Sequence, residues 1–195
     1  VHIKNSAELN KVASEIPDLA KVLADKFWPG PLTLLLPKHQ NIPNIVTAGS
    51  NLVAVRVPNH PMAIELLSSI KFPLVAPSAN PFGSISPTSA EHVHNFFKND
   101  IKLILDGGIC KRGIESTIIG FPNGAPVLYR YGSIALEEIE KVIGKVTIFN
   151  KNDVNPDAPG MLSRHYAPST KLLLTNDVRS CLAQFPDKKI GLLLF

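Results

Sequence analysis

Apolar positions along this chain repeat with two different periods, and the changes of period mark its elements. Leu9, Val12 and Ala13 fall three and four apart behind Ser6, a residue suited to capping, and predict a first helix. Pro17-Asp18 opens a second helical stretch through Leu19, Val22, Leu23 and Phe27, which Trp28-Pro29-Gly30-Pro31 breaks. Leu32 to Leu36 and Val53 to Val57 then read as strands. In the second of these, alternation puts Val53, Val55 and Val57 on one face and Ala54 and Arg56 on the other. A helix is predicted from Pro61 to about Ile70, with the proline in the first turn, where a missing amide is harmless.

Further along, Leu74-Val75-Ala76 reads as a short buried strand ended by Pro77, and residues 78–87 as a loop rich in Ser, Pro, Asn and Gly. Thr88 with Glu91 makes a capping box for a helix ending near Phe97. Ile101 to Leu105 is an expected strand, and Asp106-Gly107-Gly108 a turn. Ser116 to Phe121 and Val127 to Tyr131 pair as antiparallel strands around Pro122-Asn123-Gly124, and a helix follows over Leu136 to Ile143. Helices alternate with strands, yet some strands are joined by hairpin-length turns. The expected fold class is therefore α/β with a mixed sheet and flanking helices.

The pattern also divides the chain. Residues 1–149 read as one domain. Residues 150–170 form a linker, since Asn150 to Pro159 is rich in Asn, Asp and Pro and has no apolar period. Residues 171–195 start a second, smaller α/β unit: a strand at Lys171 to Leu174, a helix over Val178 to Phe185, and a strand from Ile190. The chain has no initiator Met and ends inside an apolar run, so both ends are expected to be cut.

Composition narrows the class. The chain has 195 residues, 45% hydrophobic and 18% charged, as expected for a globular protein. Its formal net charge is +4 and its pI about 9.1, a mild excess that suits anionic ligands such as nucleotides but lacks the basic runs of a dedicated nucleic-acid binder. Two distant cysteines, Cys110 and Cys181, form neither a disulfide framework nor a zinc pattern and fit a reducing compartment. Val1-His2-Ile3-Lys4 does not begin a signal peptide, and no apolar run is long enough for a membrane span, so a cytoplasmic location with no membrane partner is expected.

Phosphate-binding P-loops, dinucleotide fingerprints, H-E-x-x-H and G-x-S-x-G are absent. His92 and His94 are two apart on a predicted helix, so they face different ways and read as surface residues. What chemistry there is lies in short polar segments at strand ends. Ser78 and Asn80 follow a buried strand and either hold phosphate or ribose oxygens or simply fold the turn. Arg56 either clamps a carboxylate or phosphate or sits on a solvated strand face. Ser116 and Thr117 put two hydroxyls at a strand start, for a polar ligand or as ordinary strand residues. The linker gathers Arg164, His165 and Tyr166, which suit contact with a base or phosphates, or packing between domains.

Taken in order, Lys26-Phe27-Trp28-Pro29-Gly30-Pro31-Leu32-Thr33, Val53-Ala54-Val55-Arg56-Val57-Pro58, Ala76-Pro77-Ser78-Ala79-Asn80, Glu115-Ser116-Thr117-Ile118 and Arg130-Tyr131-Gly132 resemble the YrdC-like catalytic domain. Pro159-Gly160-Met161 with His165-Tyr166-Ala167-Pro168 is similar to the linker of the long form of the threonylcarbamoyl-AMP synthase family, which carries an additional C-terminal, Rossmann-like domain.

The resemblance implies a nucleotidyltransferase that converts ATP, L-threonine and bicarbonate to threonylcarbamoyl-adenylate and pyrophosphate. A separate transferase complex then uses this product to modify an adenosine beside the tRNA anticodon, so tRNA is an indirect or weak partner. By the resemblance, His2, Arg56, Ala76 and Ser116 face threonine. Leu52, Ser78, Asn80, Ser86, Arg130 and Tyr166 face ATP, Leu52 through its backbone or by packing and Tyr166 as a lid. Mg²⁺ would arrive with ATP rather than in a protein cage.

Two departures stand out. The family's Lys-x-Arg motif would precede Val1, and Ile119-Gly120-Phe121 stands where an acidic residue usually follows Ser-Thr. A double-stranded-RNA-binding module and a carbamoyl-transfer domain of the hydrogenase-maturation type are the alternative readings. The Pro-Gly-Met and His-Tyr-Ala-Pro linker speaks against the second.

Overall fold

A run of five buried residues, Leu32 to Leu36, makes β1 (Leu32–Pro37) the middle of the structure. It is covered on both faces, which is why its sequence is apolar with little alternation. The computed structural model describes residues 1–149 and 170–193. In it β2 (Leu52–Val55) lies antiparallel to β1, with Leu34 opposite Val55 and Pro37 opposite Leu52. On the other side β3 (Thr117–Gly120) runs parallel to β1, with Leu32 opposite Thr117 and Leu35 opposite Gly120. β4 (Val127–Arg130) returns antiparallel to β3, and β5 (Thr147–Ile148) adds parallel to β4, giving the order β2-β1-β3-β4-β5. The sheet is mixed, as the hairpin-length turns predict.

Alternation gives this sheet two different faces. Leu32, Leu34, Leu36, Val53, Val55, Ile119 and Leu128 form one core with Ala20, Leu23 and Ala24 of α1 (Asp18–Phe27) and Ile139 of α4 (Leu136–Ile143). Each fully buried aliphatic side chain contributes about 1.5–3 kcal/mol, so this face dominates stability. The opposite face carries only a small apolar group, Leu35 and Ile118 with Leu52, Ala54, Tyr129 and Phe149. The Tyr129 and Phe149 rings stack with centroids 4.9 Å apart. Thr33 of β1 and Arg130 of β4 lie on that less covered face, whereas Thr117 of β3 lies on the core side.

α2 (Pro61–Ser69) has its proline in the first turn, as expected. α3 (Ala90–Phe97) differs in its cap: Ser89, not Thr88, is the N-cap, and its hydroxyl accepts from the His92 amide at 3.3 Å. Ser89 and His92 reproduce the three-residue spacing one position later, and Thr88 meets the His92 ring instead. Ser6–Lys11 is a 3₁₀ helix with Asn5 at its N-cap position and no side-chain cap bond, rather than an α-helix capped by Ser6. α5 (Val178–Ala183) is capped by Asp177.

Four predicted strands are not strands. Leu74 makes a single bridge to His2, while Ile101 to Leu105 and Lys171 to Leu174 are irregular. An apolar run becomes a strand only beside a ladder partner; Leu74 has one for a single residue, and the other runs have none among the described residues. Leu103 and Leu174 are accordingly exposed. Ile190 to Leu193 is likewise irregular. β5, only two residues long, was not anticipated. None of the helices among the described residues is long and apolar enough to cross a membrane.

Thr117 joins core to loop. Its buried hydroxyl donates to the Ile134 carbonyl at 2.8 Å and accepts from the Ile134 amide at 3.0 Å. Thr117→Val keeps the shape but leaves two backbone groups unpaired, so urea unfolding should show a loss of about 2–4 kcal/mol. Thr117→Ser should lose less than half of that.

Candidate active site

Two arginines define the site, and different devices deliver them. Arg56 comes by plain alternation: it follows β2 on the Ala54 face, while Val57 is buried in the core. Residues 1–3 run alongside, with the Arg56 amide donating to the Val1 carbonyl at 3.0 Å and the Ile3 amide to the Arg56 carbonyl at 3.1 Å. His2 is thereby set beside Arg56, and the guanidinium donates to His2 Nε2 at 3.2 Å. Arginine only donates, so Nε2 is the accepting nitrogen and the imidazole is neutral. Burial, then the Arg56 charge, pushes the His2 pKa down from 6.5 to about 4.

Arg130 arrives through an irregularity. Ile118 pairs with Arg130 but Ile119 pairs with Leu128, so Tyr129 is an extra residue on β4. This bulge lets Tyr129 and Arg130 serve the same face in succession. Arg130 Nε and Nη2 donate to the Ser116 carbonyl at 3.0 and 2.9 Å, and Nη2 also donates to Ser116 Oγ at 3.0 Å. Ser116 Oγ is in turn 2.7 Å from Thr33 Oγ1 of β1, a buried hydroxyl pair. Glu115 completes the group: its Oε2 lies 3.9 Å from Arg130 Nη2, and its Oε1 accepts a short hydrogen bond from Ser86.

The two guanidiniums and the Glu115 carboxylate share one field. Burial lowers the Arg56 pKa, Glu115 raises it and Arg130 lowers it again. Two cations and one anion leave a net positive cleft lined by hydroxyls, suited to anionic oxygens.

The backbone beneath is held by a strap, residues 132–134. Ser133 donates from its amide to the Glu115 carbonyl at 2.9 Å and from its hydroxyl to the same oxygen at 3.1 Å. Gly132 makes this approach possible, because a Cβ there would sit 2.4 Å from both Ser116 C and Thr117 N.

The predicted residues sort into three groups. His2, Arg56, Ser86, Ser116 and Arg130 are brought together. Asn80 folds its own turn, its Nδ2 donating to the Ser84 carbonyl at 2.9 Å, and its buried Oδ1 has no partner among the described residues. Leu52 fills the small apolar group, with its amide donating to Ser50 Oγ at 3.1 Å. Ala76 and Ser78 lie in the exposed loop, with no hydrogen bond to the arginine group among the described residues. Tyr166 and the linker motif lie outside the described residues. Sequence reasoning missed Thr33 and Glu115. Thr33 is the one polar residue in Leu32 to Leu36, and its alternation phase marks its face. Glu115 is the one carboxylate between Asp106 and Glu137.

Comparison with known proteins decides the family. The profile of the Sua5, YciO and YrdC family, described as telomere recombination, matches residues 1–132. The chain belongs to the Sua5/YrdC family. Residues 134–195 match the family described as the threonylcarbamoyl-AMP synthase C-terminal domain. Among Sua5/YrdC relatives, threonylcarbamoyl-AMP synthase of Pyrococcus abyssi is 43% identical over 99% of this chain and 61% of its own length. That of Schizosaccharomyces pombe is 45% identical over 82% of this chain and 42% of its own. The chain thus spans roughly half the length of these relatives. The crystal structure of P. abyssi Sua5 complexed with L-threonine superposes with a TM-score of 0.83 at 48% identity, over 87% of this chain and 51% of that one. E. coli YciO, at 20% identity and a TM-score of 0.60, shares the fold.

Two outcomes follow. The folded state refuses the proton that an unfolded histidine takes near pH 6.5. Stability contributed by neutral His2 is therefore present above that pH and lost as pH falls toward about 4, at up to ~1.4 kcal/mol per pH unit. Urea midpoints measured from pH 7 to 4.5 should fall more steeply for the wild type than for His2→Gln. Gly132→Ala should destabilise by about 2 kcal/mol or more, since the clash is with backbone that has no side chain to move. The same urea titration reads it.

Proposed function

We propose that the protein carrying this chain is an L-threonylcarbamoyladenylate synthase, a nucleotidyltransferase that makes threonylcarbamoyl-AMP and pyrophosphate from ATP, L-threonine and bicarbonate. The observation that carries this reading is the pair of arginines, one oriented by a neutral histidine and the other fixed on Ser116, close enough to share one electrostatic field. Threonine brings a carboxylate and ATP a triphosphate, and the product joins their two ends. The reaction needs two anion sites close together, and the two arginines supply them.

In this reading Arg56 takes the threonine carboxylate. His2 uses one donor and fixes the guanidinium plane, leaving the rest of the fork for a bidentate pair. Because His2 is neutral, it adds no third positive charge. Ser116 and Ala76 complete the threonine side. Arg130, Ser86, Asn80, Ser78 and the Leu52 backbone serve the nucleotide, with Tyr166 closing over it. The orphaned Asn80 Oδ1 suits a donor such as a ribose hydroxyl or the adenine amino group.

Once the threonine amine has condensed with bicarbonate to a carbamate, releasing water, a carbamate oxygen attacks the α-phosphorus and pyrophosphate leaves. Arg130 offsets the charge that builds on the phosphate oxygens. No protein nucleophile is required, since holding two anionic groups in line supplies much of the rate. Mg²⁺ enters on ATP, and among the described residues no three ligating side chains form a metal group. Residues 1–149 would be the catalytic domain, 150–170 the lid-bearing linker and 171–195 the start of a C-terminal α/β domain. The product would pass to a threonylcarbamoyl transferase complex acting on cytoplasmic tRNA.

The test is threonine- and bicarbonate-dependent pyrophosphate release from MgATP by the protein that carries this chain. Arg56→Ala should raise the KM for threonine about 30-fold or more, from about 2 kcal/mol or more of lost charge-assisted bonding, and the KM for ATP far less. Equal effects on both substrates contradict the assignment.

A further inference from the structure

The loop over residues 78–87 carries the hydroxyl and amide groups assigned to the nucleotide, yet it has no regular secondary structure. Its internal bonds are short-range: Asn80 Nδ2 donates to the carbonyls of Pro81 and Ser84, and the Ser84 amide to the Pro81 carbonyl at 3.0 Å. These shape the turn without fixing where it stands against the sheet. A tie to the sheet comes from Ser86, whose hydroxyl donates to Glu115 Oε1 across 29 residues of sequence.

Glu115 is well placed to receive it. Its carbonyl takes two bonds from Ser133, so its backbone is pinned beside β3. Its carboxylate has two oxygens that face different elements, Oε1 toward the loop and Oε2 toward Arg130 at 3.9 Å. Arg130 does not need Glu115 for its own placement, since three closer bonds to Ser116 already hold it. The loop, whose tie to Glu115 reaches across 29 residues of sequence, is the dependent partner.

We propose that Glu115 is a positioning residue, locking the 78–87 loop onto the arginine group so that its polar side chains face the same phosphates as Arg130. The proposal rests on the nucleotide reading above. Glu115 touches no reacting atom in it and acts through Ser86. The threonine side is built on Arg56 and His2 and completed by Ser116 and Ala76, none of which is a partner in the Ser86–Glu115 bond, so threonine binding should not depend on the tie.

The test uses four variants in the protein that carries this chain. Glu115→Ala removes the acceptor, Ser86→Ala removes the donor, the double variant removes both, and Glu115→Gln keeps an amide oxygen that accepts from Ser86. Each is read by equilibrium MgATP binding in calorimetry, by kcat/KM for ATP, by KM for threonine and by melting temperature. Glu115→Ala and Ser86→Ala should each weaken MgATP binding and lower kcat/KM for ATP about tenfold. The double variant should be no worse than Ser86→Ala alone, because Glu115 acts only through Ser86, which itself serves the nucleotide. Glu115→Gln should stay within about threefold of wild type, and KM for threonine should hold within about threefold throughout.

Additive losses, a Glu115→Gln variant as impaired as Glu115→Ala, or a matching rise in KM for threonine would overturn the proposal. So would a large melting shift with uniform loss on both substrates, which marks a purely structural residue. If the wild type binds MgATP but releases no threonine-dependent pyrophosphate, the functional reading fails while the calorimetry still decides the loop tie.

Discussion

Arg130 reaches Ser116 because β4 holds one residue more than β3 can pair. Without Tyr129 as the extra residue, strict alternation would return Arg130 to the Leu128 side, among Ile119 and Ile139. A guanidinium there would have no acceptor and would carry the full cost of desolvation. With the bulge, the same residue finds a carbonyl and a hydroxyl on the opposite face, and Tyr129 stacks on Phe149 to cover the step. The local irregularity thus protects the core and furnishes the site in one move.

The charge pattern follows from that placement. Bringing Arg130 to Ser116 puts a second cation in the field of Arg56, and partial burial sharpens the repulsion between them. Glu115 compensates part of it. A protonated His2 would add to the repulsion, and both its burial and its contact with Arg56 keep it neutral. The site rests with one positive charge in excess, enough to attract anions without the two arginines forcing each other apart.

Much of this was legible in the chain. The alternation of Val53 to Val57 gave the face of Arg56 directly, and the glycine-containing turn at Pro122 to Gly124 gave the β3–β4 hairpin. The family resemblance named Ser86, Ser116 and Arg130, and the structure brings them within hydrogen bonds of one another or of Glu115. The bulge was not legible, because one residue too many in a strand leaves no mark on an apolar period. Thr33 was hidden by its neighbours: in a run buried on both faces, a single hydroxyl reads as a strand former until its partner across the sheet is known. Leu103 and Leu172 show the reverse error, apolar runs with strand composition and no strand beside them.

β3 lies at the boundary of all this. Thr117 and Ile119 belong to the core side, while Ser116 and Ile118 belong to the cleft side, so each step along the strand changes the environment served. A lost or gained codon in this stretch would exchange the two sets at once, carrying hydroxyls and aliphatics to the wrong sides together. Point changes here are graded, and length changes are not. Over the span from Glu115 to Gly120, the gene should therefore accept a range of substitutions before it accepts a single in-frame insertion or deletion.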